Sequence, residues 1–200
     1  MMAESNDDTR AKLAANKRNW DARAPIHVSS RFYGIGDRDP MSWFAPFEWR
    51  ELGDLDGREV VHLQCHVGVE TMALALKGAR TTGLDFSGVS VQEAQRVTRQ
   101  AGLTIEFLHA NVYDAVEALG AERFDIAYTG KGALCYLPDL TAWAQKVWHL
   151  LKPGGFLYLN RPGMSGDSTP WEGWSHVRWF VEEVSAGAAC ACSSDGRRDQ

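Results

Sequence analysis

No stretch of this 200-residue chain approaches the roughly 18–20 consecutive apolar residues of a membrane span. Its start, MMAESNDDTR, is acidic and polar and lacks an apolar core of the secretory type, so no signal peptide is expected. Cysteine is scarce. The four present, Cys65, Cys135, Cys190 and Cys192, are too scattered for a disulfide scaffold, which makes a reduced, cytoplasmic setting the expectation. An excess of basic residues is also missing: the net charge is −5 and no basic stripe offsets it, which argues against nucleic acid as the main partner. No internal repeat is visible, so a solenoid is excluded.

What is present is the make-up of one soluble globular domain, 44% hydrophobic and 24% charged. Residues 1–10 are expected to be disordered. Residues 11–58 read as a helical cap, with a helix from Thr9 to about Arg23 bounded by Pro25. A Gly/Asp/Pro-rich loop follows, and then a short helix ending near Gly53. From 59 to 160 the pattern is regular. Strand signals at 60–65, 80–85, 105–109, 124–129 and 156–160 alternate with helical signals at 69–77, 88–101, 113–119 and 139–151. Short apolar strands separated by helix-length segments imply right-handed βαβ units, hence an α/β, doubly wound, Rossmann-like and mostly parallel sheet. Residues 161–200, rich in Gly, Pro and Trp and then small and polar, read as a weakly ordered tail in which WSHVRWFVEEV can add one strand or short helix.

Open parallel sheets bind ligands beyond the carboxyl ends of their strands. The first such loop, QCHVG at 64–68, carries one glycine, Gly68, which serves either close ligand approach or only a tight turn. Asp85 ends the second strand, where a carboxylate accepts ribose hydroxyls; Ser87 is the better cap for the next helix. Asn111 either bonds a purine edge, with Val112 and Tyr113 packing its face, or caps a helix. Gly130 and Gly132 stand where the fourth loop would line the cleft floor.

In this order and spacing, the strand leading into QCHVG, GLDFS, NVYD, FDIAYTGKGALCYLPDL and LLKPGGFLYL resemble the class I S-adenosylmethionine-dependent methyltransferases over about residues 47–160. The resemblance implies a sheet of order 3-2-1-4-5-7-6 and S-adenosyl-L-methionine as cofactor. It places the methionine end at Gln64, Cys65, His66 and Gly68, ribose at Asp85 and Phe86, adenine at Asn111 and Val112, and Thr129 and Gly130 beside the sulfonium; Ser87 and Tyr113, next to these, complete the set of cofactor-binding candidates. It also implies a small-molecule methyl acceptor under an N-terminal lid, with Trp20, Arg31, Tyr33, Lys131 and Tyr136 as lid or substrate candidates. No general base is assigned.

The chain departs from the family pattern at His62, where an acid is usual, at Gln64 and His66, which replace loop glycines, and at Asn111. Gln64 and His66 fit such a loop if its backbone stays at negative φ. Only 40 residues follow Asn160, so the 7-6 hairpin is expected to be absent or incomplete. An alternative is therefore a defective relative that binds cofactor weakly or not at all. An NAD-dependent oxidoreductase is the other rival, disfavoured because the loop lacks G-x-G-x-x-G. His62, Cys65 and His66 do not make a metal set, because positions 62 and 65 face opposite sides of a strand. Trp171, Trp174 and Trp179 form either an aromatic substrate wall or the cover of a core edge.

Overall fold

A computed structural model describes residues 2–130, 132–162 and 174–180, with side chains from 9 to 159 apart from 131. The chain begins with helix α1, Met2–Ser29, followed by turns and by α2, Pro46–Leu52. Strands β1 (Glu59–Leu63), β2 (Arg80–Asp85), β3 (Glu106–His109), β4 (Phe124–Thr129), β5 (Leu151–Pro162) and β6 (Trp174–Phe180) then form one sheet of order β3-β2-β1-β4-β5-β6. Between them run α3 (Val69–Leu76), α4 (Gly88–Gln100), α5 (Ala115–Leu119) and α6 (Leu140–Leu150). The first five strands pair in parallel, and β6 joins β5 antiparallel. The order 3-2-1-4-5 follows the expectation, and the described residues place one antiparallel strand at the outer edge.

Strand alternation divides the core in two. Val60, Ile126, Tyr128, Phe156 and Tyr158 pack on one face with Trp43, Phe44, Leu52 and Leu74. Val61, Leu63, Ala127, Leu157 and Leu159 pack on the other with Trp143, Val147 and Leu150 of α6. Buried positions 143, 147 and 150 recur at helical spacing, as do Val91, Ala94 and Val97 in α4. Asp139 starts α6, its side chain accepting from the Ala142 N–H at 2.9 Å.

Three elements differ from the sequence reading. Helix α1 starts at Met2, inside the ten residues expected to be disordered, and continues past Pro25 to Ser29. No glycine or proline interrupts residues 2–24, and a proline in the last turns removes just one helical N–H. Strand β5 starts at Leu151 rather than 156. Lys152–Gly155 is absorbed as a register shift between Phe124↔Leu151 and Ile126↔Phe156. Gly155 makes this possible, since a Cβ there would lie 2.9–3.2 Å from three backbone oxygens. Finally, β6 forms within the segment expected to be a weakly ordered tail, at the WSHVRWF picked out as one further strand.

Candidate functional site

The parallel strand order reverses between β1 and β4, so the crevice past their carboxyl ends is the place where an open α/β sheet receives a ligand. Residues 64–68 form its first wall. Contrary to the expected negative φ, Gln64 and His66 both lie in the left-handed region, at φ 58° and 48°. A non-glycine residue there costs roughly 1–2 kcal/mol. The loop holds this shape because its N–H groups are bonded: Cys65 to the Leu84 carbonyl at 3.1 Å, His66 to Asp85 Oδ2 at 2.9 Å and Gly68 to the Cys65 carbonyl at 2.9 Å. Gln64 Nε2 also donates to the Ala133 carbonyl at 3.0 Å, tying the first loop to the fourth.

Asp85 is the hub. Its side chain is buried, Oδ2 takes the His66 N–H, and Oδ1 takes the Ser87 N–H at 2.8 Å. Burial raises its pKa to about 6, against the lowering effect of those two N–H groups. Each oxygen keeps a second acceptor direction for a ligand hydroxyl. Ser87 is the expected cap of α4, accepting from the Ser90 N–H at 3.0 Å. Its hydroxyl also donates to Asp21 Oδ1 at 2.6 Å, a contact from α1 that no sequence signal announced.

Helix α1 and the turns after it close over this crevice. His27 Nδ1 and His66 Nε2 are 2.8 Å apart, and His66 Nδ1 is 3.1 Å from Ser90 Oγ. Burial, and then the neighbouring His27, hold the His66 pKa down at about 3; burial, and then Arg23, lower that of His27. Both rings are therefore neutral at pH 7, one donating to the bare nitrogen of the other. Trp20 meets His66 edge-on at 5.1 Å and Tyr136 at 5.2 Å, while Tyr33 stacks on His27 at 5.0 Å. These contacts bring Trp20, Tyr33 and Tyr136 together as a lid.

The remaining walls come from β3 and β4. Asn111 Oδ1 accepts from the Tyr113 N–H at 3.2 Å, so the capping role is realised, and Asn111 and Val112 also border the cavity. Tyr113 does not: its hydroxyl takes the Asp139 N–H at 3.0 Å and holds the start of α6. Gly130 packs closely on Glu70: an added Cβ would come within 2.5 Å of Glu70 Oε2, so that side chain would have to shift. Glu70 Oε1 accepts from the Tyr128 hydroxyl at 3.0 Å. His62 sits beneath with Nδ1 2.8 Å from Thr71 Oγ1, and burial, then His66, push its pKa down to about 3.

Together these walls enclose a cavity of ≈ 590 Å³. Of the sequence-predicted residues, Gln64, Cys65, His66, Asp85 and Phe86 border it, as do Asn111, Val112 and Gly130 and the lid residues Trp20, Tyr33 and Tyr136. Gly68, Ser87, Tyr113, Thr129 and Arg31 do not. Gly68 serves packing instead, because a Cβ at its φ of 75° would lie 2.9 Å from the Phe107 ring. Lys131 and Trp171 lie outside the described residues, and Trp174 and Trp179 are described by backbone alone. Sequence reasoning missed Leu13, Phe32, Arg38, Trp43 and Glu70. The Leu13–Trp20 spacing of seven on α1 was a usable signal for one of them; the others sit at turns or at a helix start without periodicity. Among the described residues, Gln64 Oε1 and Thr129 Oγ1 are buried without a hydrogen-bond partner. Of the two, Gln64 borders the cavity, where a ligand could satisfy an acceptor that is otherwise costly to leave unpaired.

Residues 61–157 match the sequence model of a family described as "Methyltransferase domain". The chain is 32% identical over 114 residues to the ubiquinone biosynthesis O-methyltransferase of Actinobacillus pleuropneumoniae, covering 56% of this chain and 48% of that protein. It thus spans about half the length of that relative. A 31-residue segment is 77% identical to part of "Probable transport accessory protein MmpS1" of Mycobacterium tuberculosis, 16% of this chain and 20% of that one. Among solved structures, a SAM-dependent methyltransferase from Methanosarcina mazei superposes with a TM-score of 0.52 at 26% identity, covering 61% of this chain and 59% of the other.

Proposed function

We propose, starting from a core that is a class I S-adenosylmethionine-dependent methyltransferase domain, that this protein transfers a methyl group from S-adenosyl-L-methionine to a small molecule held beneath α1. The observation that carries the reading is the lid-covered cavity at the strand switch point, with the Asp85 carboxylate on one wall and the orphaned Gln64 acceptor on another. These residues fit the cofactor. Gln64, Cys65 and His66 would hold its amino acid end, Asp85 and Phe86 its ribose, and Asn111 and Val112 its adenine. When bound, it supplies an activated methyl group on a sulfonium.

What the chain contributes is alignment and the exclusion of water, which together can lower a barrier by several kcal/mol. The lid aromatics exclude water. Asp85, fixed by two N–H groups, orients the ribose and also locks the loop through His66. His66 and Tyr33 are shifted in opposite directions, to about 3 and, by burial and then Glu70, to about 12. With pKa values this far from 7, the imidazole is too weak a base and the phenol too weak an acid to carry protons efficiently, so they position groups instead. The O-methyltransferase name of the relatives supports an oxygen acceptor, and the net charge of −5 favours a small molecule over nucleic acid. No helix among the described residues is long and apolar enough to cross a membrane; action in the cytoplasm is part of this proposal.

The test is turnover. The protein is incubated with S-adenosylmethionine and separate pools of phenols, catechols, aromatic acids and amines, and mass spectrometry follows S-adenosylhomocysteine and methylated product. The expected result is S-adenosylhomocysteine in step with one methylated acceptor. Cofactor consumption no higher than in the protein-free blank with every pool would overturn the reading.

A further inference from the structure

The cavity holds a cation that the cofactor reading leaves unused. Arg38 borders it, with its guanidinium carbon 4.0 Å from the centroid of the buried Trp43 ring. Three bonds fix the group in place: Nε donates to Ser42 Oγ at 2.8 Å, Nη1 to the Phe32 carbonyl at 3.3 Å and Nη2 to the Ser42 carbonyl at 3.1 Å. Its backbone is pinned too, the Arg38 N–H donating to the Gly34 carbonyl at 2.7 Å. A guanidinium has five N–H donors, so two remain without a partner among the described residues. No described carboxylate lies within 4.0 Å of it.

Around this cation the wall is aromatic. Tyr33 and Phe32 lie 5.4 and 5.6 Å from Trp43, and Phe32 leaves 70% of its surface exposed at the mouth. Trp20 and Tyr136, 5.2 Å apart, line the same cavity. A planar fork with unused donors matches a carboxylate, and exposed rings are covered best by another ring.

We propose that Arg38 is the carboxylate anchor of this cavity, and that the methyl acceptor is a planar aromatic acid whose ring lies among the lid aromatics. This rests on the methyltransferase reading. The same chemistry has a second source, the carboxylate at the amino acid end of the cofactor. The aromatic mouth favours the acceptor.

Calorimetry on the wild type, Arg38→Gln and Arg38→Lys separates the possibilities. The probes are 2-naphthoate, its neutral counterpart 2-naphthamide, S-adenosylhomocysteine, and 5′-methylthioadenosine, which lacks the amino acid end. A charge-assisted pair predicts that Arg38→Gln weakens 2-naphthoate about tenfold or more, with Arg38→Lys in between. Binding of 2-naphthamide and S-adenosylhomocysteine stays as in the wild type, which also shows that the variant is folded. Loss of S-adenosylhomocysteine with 5′-methylthioadenosine retained would move the anchor to the cofactor and overturn the acceptor class. Equal loss of both naphthalenes, or no binding of either by the wild type, would overturn the proposal. A wild type that binds 2-naphthoate in an Arg38-dependent way but not S-adenosylhomocysteine would fail the methyltransferase reading alone.

Discussion

Replacing Asp85 by alanine lowers S-adenosylhomocysteine affinity by about 100-fold or more. In the proposed binding mode the carboxylate does two things at once: it would accept the ribose hydroxyls, and it holds the His66 N–H that keeps the first loop in its left-handed shape. Charge-assisted hydrogen bonds contribute roughly 1.5–3 kcal/mol each, so losing two to a ligand is worth at least that factor. Asp85→Asn keeps the shape but turns an N–H donor towards the N–H of His66 or Ser87, and the loop is released in that variant too.

The same residue sets a pH dependence with opposite signs for stability and for binding. Its carboxyl has a pKa of about 6, raised from its ordinary 3.8. A raised acid pKa means that the folded state disfavours the ionised form. The cost, roughly 3 kcal/mol, is fully present above about pH 6 and is relieved as pH falls from there towards 3.8. The proposed binding mode uses the carboxylate, so S-adenosylhomocysteine affinity is expected to fall as pH drops through about 6 while the ligand-free protein gains stability from this group. Titrations between about pH 8 and pH 5 show both trends, and Asp85→Asn flattens them. An affinity unchanged across that window would remove Asp85 from the site.

Gly68→Ala should destabilise the core through packing and backbone strain together. An added Cβ would stand 2.9 and 3.0 Å from two atoms of the Phe107 ring and 3.1 Å from Ala94 Cβ, at a backbone φ of 75°. Left-handed backbone costs roughly 1–2 kcal/mol and overpacking roughly 1–3. The sum, about 2–5 kcal/mol, corresponds to a melting point lower by about 5–20 °C for a domain of this size. The double variant Gly68→Ala, Phe107→Leu recovers part of the loss, because a shorter side chain vacates the ring position. A melting point within a degree or so of wild type for the single variant would contradict the packing account.

The sheet was legible because its signal is local. RTTGLD at 80–85 and FDIAYT at 124–129 form strands over the ranges their apolar patterns predict, and Ser87 caps α4 as its position relative to Gly88 implies. Asp85 ends β2 as its apolar pattern implies, and stands on the cavity wall. The first loop was not legible. Side-chain identity argues for negative φ at Gln64 and His66, and what overrides it comes from 19 residues away, the carboxylate that takes the His66 N–H. The lid shows the same limit: Trp20 and Tyr33 were visible as aromatics before the core, but Asp21 bonds Ser87 across 66 residues. Arg38 over Trp43 follows from turn geometry, with no sequence period to betray it.

The most direct test is calorimetric titration of the full chain with S-adenosylhomocysteine and, separately, with NADH. The account predicts saturable one-to-one binding of S-adenosylhomocysteine and none of NADH. Binding of NADH alone, or of neither by a protein that still melts cooperatively, would contradict it.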